Sequence, residues 1–131
     1  TALVHENGHV GHGAVLHGCE VGTGALIGIG AVIMDNVVIG EHALVAAMSF
    51  VKEGTQVPAR VLVAGVPARV VRELTEAEVA WKSNGTLLYQ ELARRSLAEM
   101  RDCAPLAAEE PGRRPREAGS KPLAETRREA P

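Results

Sequence analysis

The run Val21-Gly22-Thr23-Gly24-Ala25-Leu26-Ile27-Gly28-Ile29-Gly30-Ala31-Val32-Ile33 repeats every six residues: Val21, Ile27 and Ile33 recur at that interval. Followed downstream, the same step reaches Ile39, Val45, Val51, Val57 and Val63, which makes eight β-branched aliphatic residues without a break. Such residues fill roughly one in five positions of an average chain, so eight by chance is on the order of a few in a million. An amphipathic helix needs apolar spacings of three and four, and a hairpin sheet needs strict alternation with short turns. A period of six fits neither.

Two positions before each aliphatic residue stand Cys19, Ala25, Ala31, Val37, Ala43, Ser49, Thr55 and Val61, all small or β-branched. Residues i and i+2 of a strand face the same side, so both members of each pair point inward. Gly22, Gly28 and Gly40 follow the aliphatic residue directly, where a Cβ would obstruct the turning backbone. Three such hexapeptides close one triangular coil of 18 residues, and coils stack at about the 4.8 Å strand spacing. The pattern therefore predicts a parallel β-helix over residues 1–69, in which Ile33 and its equivalents form aliphatic ladders.

Upstream the beat slips. Val10 lies eleven residues before Val21 instead of twelve, and the short interval contains Gly11-His12-Gly13-Ala14-Val15-Leu16-His17-Gly18-Cys19. One turn there is a residue short, at the point where histidines cluster.

Composition agrees with a repetitive aliphatic core. The 131 residues are 46 % apolar but only 2 % aromatic, so burial rests on many small aliphatic groups instead of a few rings. A net charge of −2 gives no basic face for nucleic acid. Apolar runs are short and broken by Gly or Pro, below the roughly 20 residues that span a bilayer, and no signal peptide is legible. Cys19 and Cys103 form neither a zinc-type pair nor a disulfide framework, which points to a reducing, cytoplasmic setting. The chain opens on Thr1, inside patterned sequence, and further coils are expected upstream.

Gly65-Val66-Pro67-Ala68-Arg69 ends the repeat, with Pro67 expected to stop any further ladder strand. Thr75-Glu76-Ala77-Glu78 has the form of a capping box, which opens a helix through about Ser83, and Asn84-Gly85 reads as its stop. A second helix is expected from about Leu87 to Asp102, completing a helical segment over 70–105. Its Tyr89, Leu92, Ala93, Leu97 and Met100 stripe suits packing on the β-helix or a neighbouring subunit, or contact with a ligand. Residues 106–131 carry six basic and five acidic residues without periodicity and read as a disordered tail.

Few residues offer chemistry. His12 and His17 flank the shortened turn, with His9 and His5 upstream. Imidazole is the commonest metal ligand, and a catalytic zinc-type centre takes three protein ligands plus water; the alternative is that these are exposed turn histidines. Cys19 occupies an inward small position and reads as core. Trp81, Asn84 and Tyr89 are candidate pocket residues as the few non-aliphatic groups near the coils. No catalytic acid or base can be named.

The stretch Gly8-His9-Val10-Gly11-His12-Gly13-Ala14-Val15-Leu16-His17-Gly18-Cys19 resembles the γ-class carbonic-anhydrase-like family of hexapeptide-repeat proteins. Ala47-Met48-Ser49-Phe50-Val51-Lys52, Gly65 to Arg69, Ala80-Trp81-Lys82 and Glu110-Pro111-Gly112-Arg113 narrow the likeness. They point to the branch of phenylacetic acid degradation and carnitine operon hexapeptide proteins, over about residues 3–113. The resemblance implies a left-handed β-helix and a homotrimer with a divalent metal between subunits, zinc first, with iron or cobalt as alternatives. It places two metal ligands on His12 and His17 of adjacent subunits and the third histidine upstream of Thr1. The implied activity is hydrolysis of a CoA thioester linked to phenylacetate degradation. Alternatives are carbonic anhydrase acting on CO₂ or bicarbonate, a hexapeptide acyltransferase, or a non-catalytic trimeric accessory protein.

Overall fold

A computed structural model describes residues 1–108 and 111–112. Ten two-residue strands follow one another from the N-terminus: β1 (Leu3–Val4), β2 (His9–Val10), β3 (Val15–Leu16), β4 (Glu20–Val21), β5 (Leu26–Ile27), β6 (Val32–Ile33), β7 (Val38–Ile39), β8 (Leu44–Val45), β9 (Phe50–Val51) and β10 (Gln56–Val57). They are followed by β11 (Val61–Gly65), β12 (Ala68–Glu73) and one helix, α1 (Glu76–Glu99). Every third strand stacks on the same face, which gives three sheets ordered β1-β4-β7-β10, β2-β5-β8-β11-β12 and β3-β6-β9. Apart from β11–β12, every pairing is parallel. The fold is a mainly β parallel solenoid, as the period of six requires.

The inward assignment holds along the ladders. Val21, Ile27, Ile33, Ile39, Val45 and Val51 are fully buried, and Cys19, Ala25, Ala31, Val37, Ala43 and Ser49 pack between them. Each enclosed Val or Ile contributes on the order of 1.5–3 kcal/mol, and a chain with few aromatic groups can still build a core from repetition. Gly22, Gly28 and Gly40 serve close approach, since an added Cβ would meet the next coil's backbone at 2.7, 2.4 and 2.5 Å respectively.

Left-handed backbone sits elsewhere, at one position in every corner: Asn7, Gly13, Gly18, Gly24, Gly30, Asn36, His42, Met48, Gly54 and Arg60 all have positive φ. Such residues bend the chain tightly enough for a short strand to follow immediately.

Pro67 does not end the second sheet. A turn carrying a cis Val66–Pro67 peptide reverses the chain, and β12 pairs antiparallel with β11 from Val61↔Glu73 to Gly65↔Ala68. Proline is tolerated because it lies in the turn, outside the hydrogen-bonded ladder.

The expected pair of helices is one continuous helix. Asn84-Gly85 lies inside α1; an interior glycine costs about 1 kcal/mol against alanine, too little to stop a 24-residue helix. Among the described residues no helix is long and apolar enough to cross a membrane. The tail expected over 106–131 lies outside the described residues except at 106–108 and 111–112.

The chain divides into two compact units, Thr1–Ser83 and Asn84–Pro131. In the second, Tyr89, Leu92, Leu97 and Met100 are exposed.

Candidate metal centre

The strand register locates the missing residue. Leu3 pairs with Glu20, His9 with Leu26 and Val15 with Val32, each 17 residues apart. From Glu20 onward the partners are 18 apart, as in Glu20↔Val38 and Leu26↔Leu44. A regular corner such as Gly22-Thr23-Gly24-Ala25 holds four residues between strands, whereas the corner between β3 and β4 holds three: His17, Gly18 and Cys19. The contraction anticipated somewhere between Val10 and Val21 therefore falls on His17 itself.

His17 is anchored through its backbone, which donates from N to the Ile33 carbonyl at 2.8 Å. Its ring stands outward and exposed, with Nδ1 2.8 Å from Asp35 Oδ2 on the next coil. Asp35 belongs to no motif read from the sequence; stepping one coil of 18 residues on from His17 would have found it. His12 lies one corner earlier, beside left-handed Gly13, and its carbonyl accepts from Gly30 N at 2.9 Å; its side chain is exposed.

The other histidines differ in setting. His5 Nε2 lies 2.7 Å from Glu20 Oε1, a hydrogen bond between stacked coils. His9 is half-buried, and burial, then the charges of Lys82 and His12, pull its pKa below the usual imidazole value. Lys82 itself is buried, donates from Nζ to the Asn7 carbonyl at 2.8 Å, and is lowered by burial to about 8. Lys82 stands in the Ala80-Trp81-Lys82 motif, yet nothing in that motif shows that it reaches the histidine coil; its sequence separation from Asn7 hides the contact.

Cys19 is core, and burial raises its thiol pKa. Trp81 is half-buried, while Asn84 and Tyr89 are exposed. A cleft of about 160 Å³ opens beside β12, lined by Val51, Val57, Val63, Ala68 and Arg69 among others, and no histidine lines it.

Among the described residues, no three histidine, cysteine or carboxylate side chains gather in a way that would hold a metal ion. The donors present are nonetheless of the right kind: two imidazoles on successive corners, one of them oriented by a carboxylate.

Residues 18–53 match the family described as bacterial transferase hexapeptide (six repeats). The carnitine operon protein CaiE of Salmonella agona is 53 % identical over 111 residues, covering 85 % of this chain and 56 % of the relative. Over residues 18–53 the chain carries the repeats of the hexapeptide family. The resemblance to the branch that includes the carnitine operon proteins, read from residues 47–52, 65–69, 80–82 and 110–113, is borne out. The chain spans about half the length of the curated relatives it matches.

Solved structures share the fold. A hexapeptide transferase family protein from Anaplasma phagocytophilum is 32 % identical with a TM-score of 0.66, over 72 % of this chain and 61 % of its own. A putative acetyltransferase from Bacillus cereus is 35 % identical with a TM-score of 0.70, over 72 % and 55 %.

Proposed function

We propose that this chain works as a γ-carbonic-anhydrase-like, metal-dependent hydrolase of an acyl-CoA thioester, assembled as a homotrimer with its metal between subunits. The observation that carries the reading is that His12 and His17 stand on successive corners, each directly before a left-handed glycine, Gly13 and Gly18. The names of the relatives favour a carnitine-related acyl group, with phenylacetyl-CoA as the alternative substrate and CO₂ hydration as the alternative reaction.

His12 and His17 would hold a divalent ion, zinc first, from adjacent copies of the chain, with a third ligand from outside residues 1–131. When bound, such an ion supplies a Lewis acid and a water that ionises near neutral pH. The chain's own contribution is orientation. Corners fixed by coil-to-coil hydrogen bonds at His17 N and at the His12 carbonyl hold both imidazoles on backbone that cannot swing. Exposed apolar side chains on the coils, Ile29, Met48 and Val66, suit burial against a second copy.

Acyl transfer, the activity named for the Bacillus cereus protein, ranks lower because the coils from Glu20 to Gly65 run at a constant 18 residues with no inserted loop to cover CoA. A second reading, a non-catalytic trimeric accessory protein, is favoured by the lack of a three-ligand cluster among the described residues.

The test is metal content and thioester hydrolysis of the purified full-length protein after loading with zinc. Bound zinc that His12→Ala and His17→Ala each abolish, together with chelator-sensitive release of free CoA from acyl-CoA, is the expected result. A trimer that binds no metal and hydrolyses nothing supports the accessory reading and overturns the hydrolase.

A further inference from the structure

The strongest unused feature of the molecule is the carboxylate beneath the contracted corner. Two backbone bonds link the coils around it: His17 N donates to Ile33 O at 2.8 Å, and Asn36 N donates to Gly18 O at 2.9 Å. Asp35 lies between these two links, so its side chain has a short, defined path to His17. That path exists only because residue 18 is glycine. A Cβ built there would fall 2.2 Å from Asp35 Oδ1 and 3.2 Å from its Cγ, inside the space the carboxylate occupies. Gly18 also has φ of +61°, which glycine adopts without the penalty a side chain brings.

An ionised carboxylate can only accept hydrogen bonds. With Oδ2 at 2.8 Å from Nδ1, the imidazole proton must sit on Nδ1, and the lone pair is left on Nε2, on the ring edge away from Asp35. We infer that Asp35 is a positioning residue for His17, which fixes its Nδ1–H tautomer so that Nε2 is presented outward as the ligating nitrogen, and that Gly18 is the opening that permits it. The inference rests on the metal-site reading for its purpose, though its measurement does not depend on metal. A carboxylate behind a ligating histidine raises its basicity and sets its orientation, and losing such a partner weakens metal binding about 10–100-fold. Neither the repeat nor the histidine spacing shows it, because the pair is one coil apart.

Ring ¹⁵N–¹H correlation spectra of the metal-free chain at about pH 8, where imidazole is mostly neutral, report the tautomer directly. His17 is expected as Nδ1–H. Asp35→Ala and Gly18→Ala should each return it to the Nε2–H form that free histidine prefers; the first deletes the acceptor and the second displaces it. Glu20→Ala, which removes the neighbouring carboxylate paired with His5, should leave His17 unchanged. Zinc affinity should fall about 10–100-fold in Asp35→Ala and remain in Glu20→Ala. An Nε2–H His17 in the parent chain, or a tautomer indifferent to Asp35→Ala, overturns the inference whatever the metal content. A tautomer held by Asp35 in a full-length protein that binds no zinc overturns the proposed function and leaves the positioning role standing.

Discussion

Two kinds of glycine occupy the corners, and they differ in what they prevent. Gly28 has ordinary φ but leaves no room for a side chain: a Cβ there would meet Ala47 N at 2.4 Å. Gly54 is the opposite, with φ of +69° and open space where a Cβ would stand. Gly28→Ala forces two coils apart and should cost about 1–3 kcal/mol, the range of overpacked cores. Gly54→Ala meets only the left-handed penalty of about 1 kcal/mol. Denaturant midpoints of the two variants check the ordering, and an equal loss in both would show that the coils can separate freely. Met48 and Arg60 bear the same left-handed geometry without glycine's freedom, a strain that stacked neighbours can sustain.

At the scale of elements, the start of α1 is defined by a reciprocal cap. Thr75 N donates to Glu78 Oε2 at 3.0 Å, and Glu78 N donates to Thr75 Oγ1 at 3.3 Å. The buried Glu78 carboxylate also takes a bidentate pair from Arg72 on β12, both bonds at 2.8 Å, which raises the Arg72 pKa. One residue thus ties the last strand to the first helical turn. Glu78→Ala should cost about 1–2 kcal/mol through the lost cap and reduce the helical circular-dichroism signal before the solenoid unfolds. A single unaltered transition would show that the cap is not what holds the helix start. The capping box was readable from Thr75 and Glu78 alone, because capping is local. The unbroken passage of α1 through Asn84-Gly85 was not, because a weak local breaker is outweighed by the rest of a long helix.

For the molecule as a whole, Lys82 joins the helix to the first coil through the Asn7 carbonyl, and its burial has a pH signature. Its folded pKa of about 8 lies below the ordinary 10.5. Between those values the unfolded chain binds a proton that the folded chain does not, so this group's contribution to stability rises with pH across the window. Below about 8 both states are charged, and the full penalty of burying the ammonium is present. Stability of the parent relative to Lys82→Met should therefore improve between pH 8 and 10.5 and stay flat below. A difference independent of pH would place the Lys82 amine in water.

The sequence by itself determined the coil: its period, its inward residues, the crowded glycines and the cap that opens the helix. Each is either local or repeated, so a one-dimensional pattern carries it. Only the tertiary structure decided that the missing residue is taken at His17, that Asp35 lies behind that ring, that β12 turns back along β11, and that Lys82 reaches Asn7. Spatial neighbours in a solenoid stand 17 or 18 residues apart, and the contact of Lys82 with Asn7 joins positions more distant still. Outward-facing side chains such as Asp35 follow no hydrophobic period that would announce them. The proposed metal site rests on those outward contacts, so the histidines could be named from their motif, whereas Asp35 is reached only by stepping one coil on from His17.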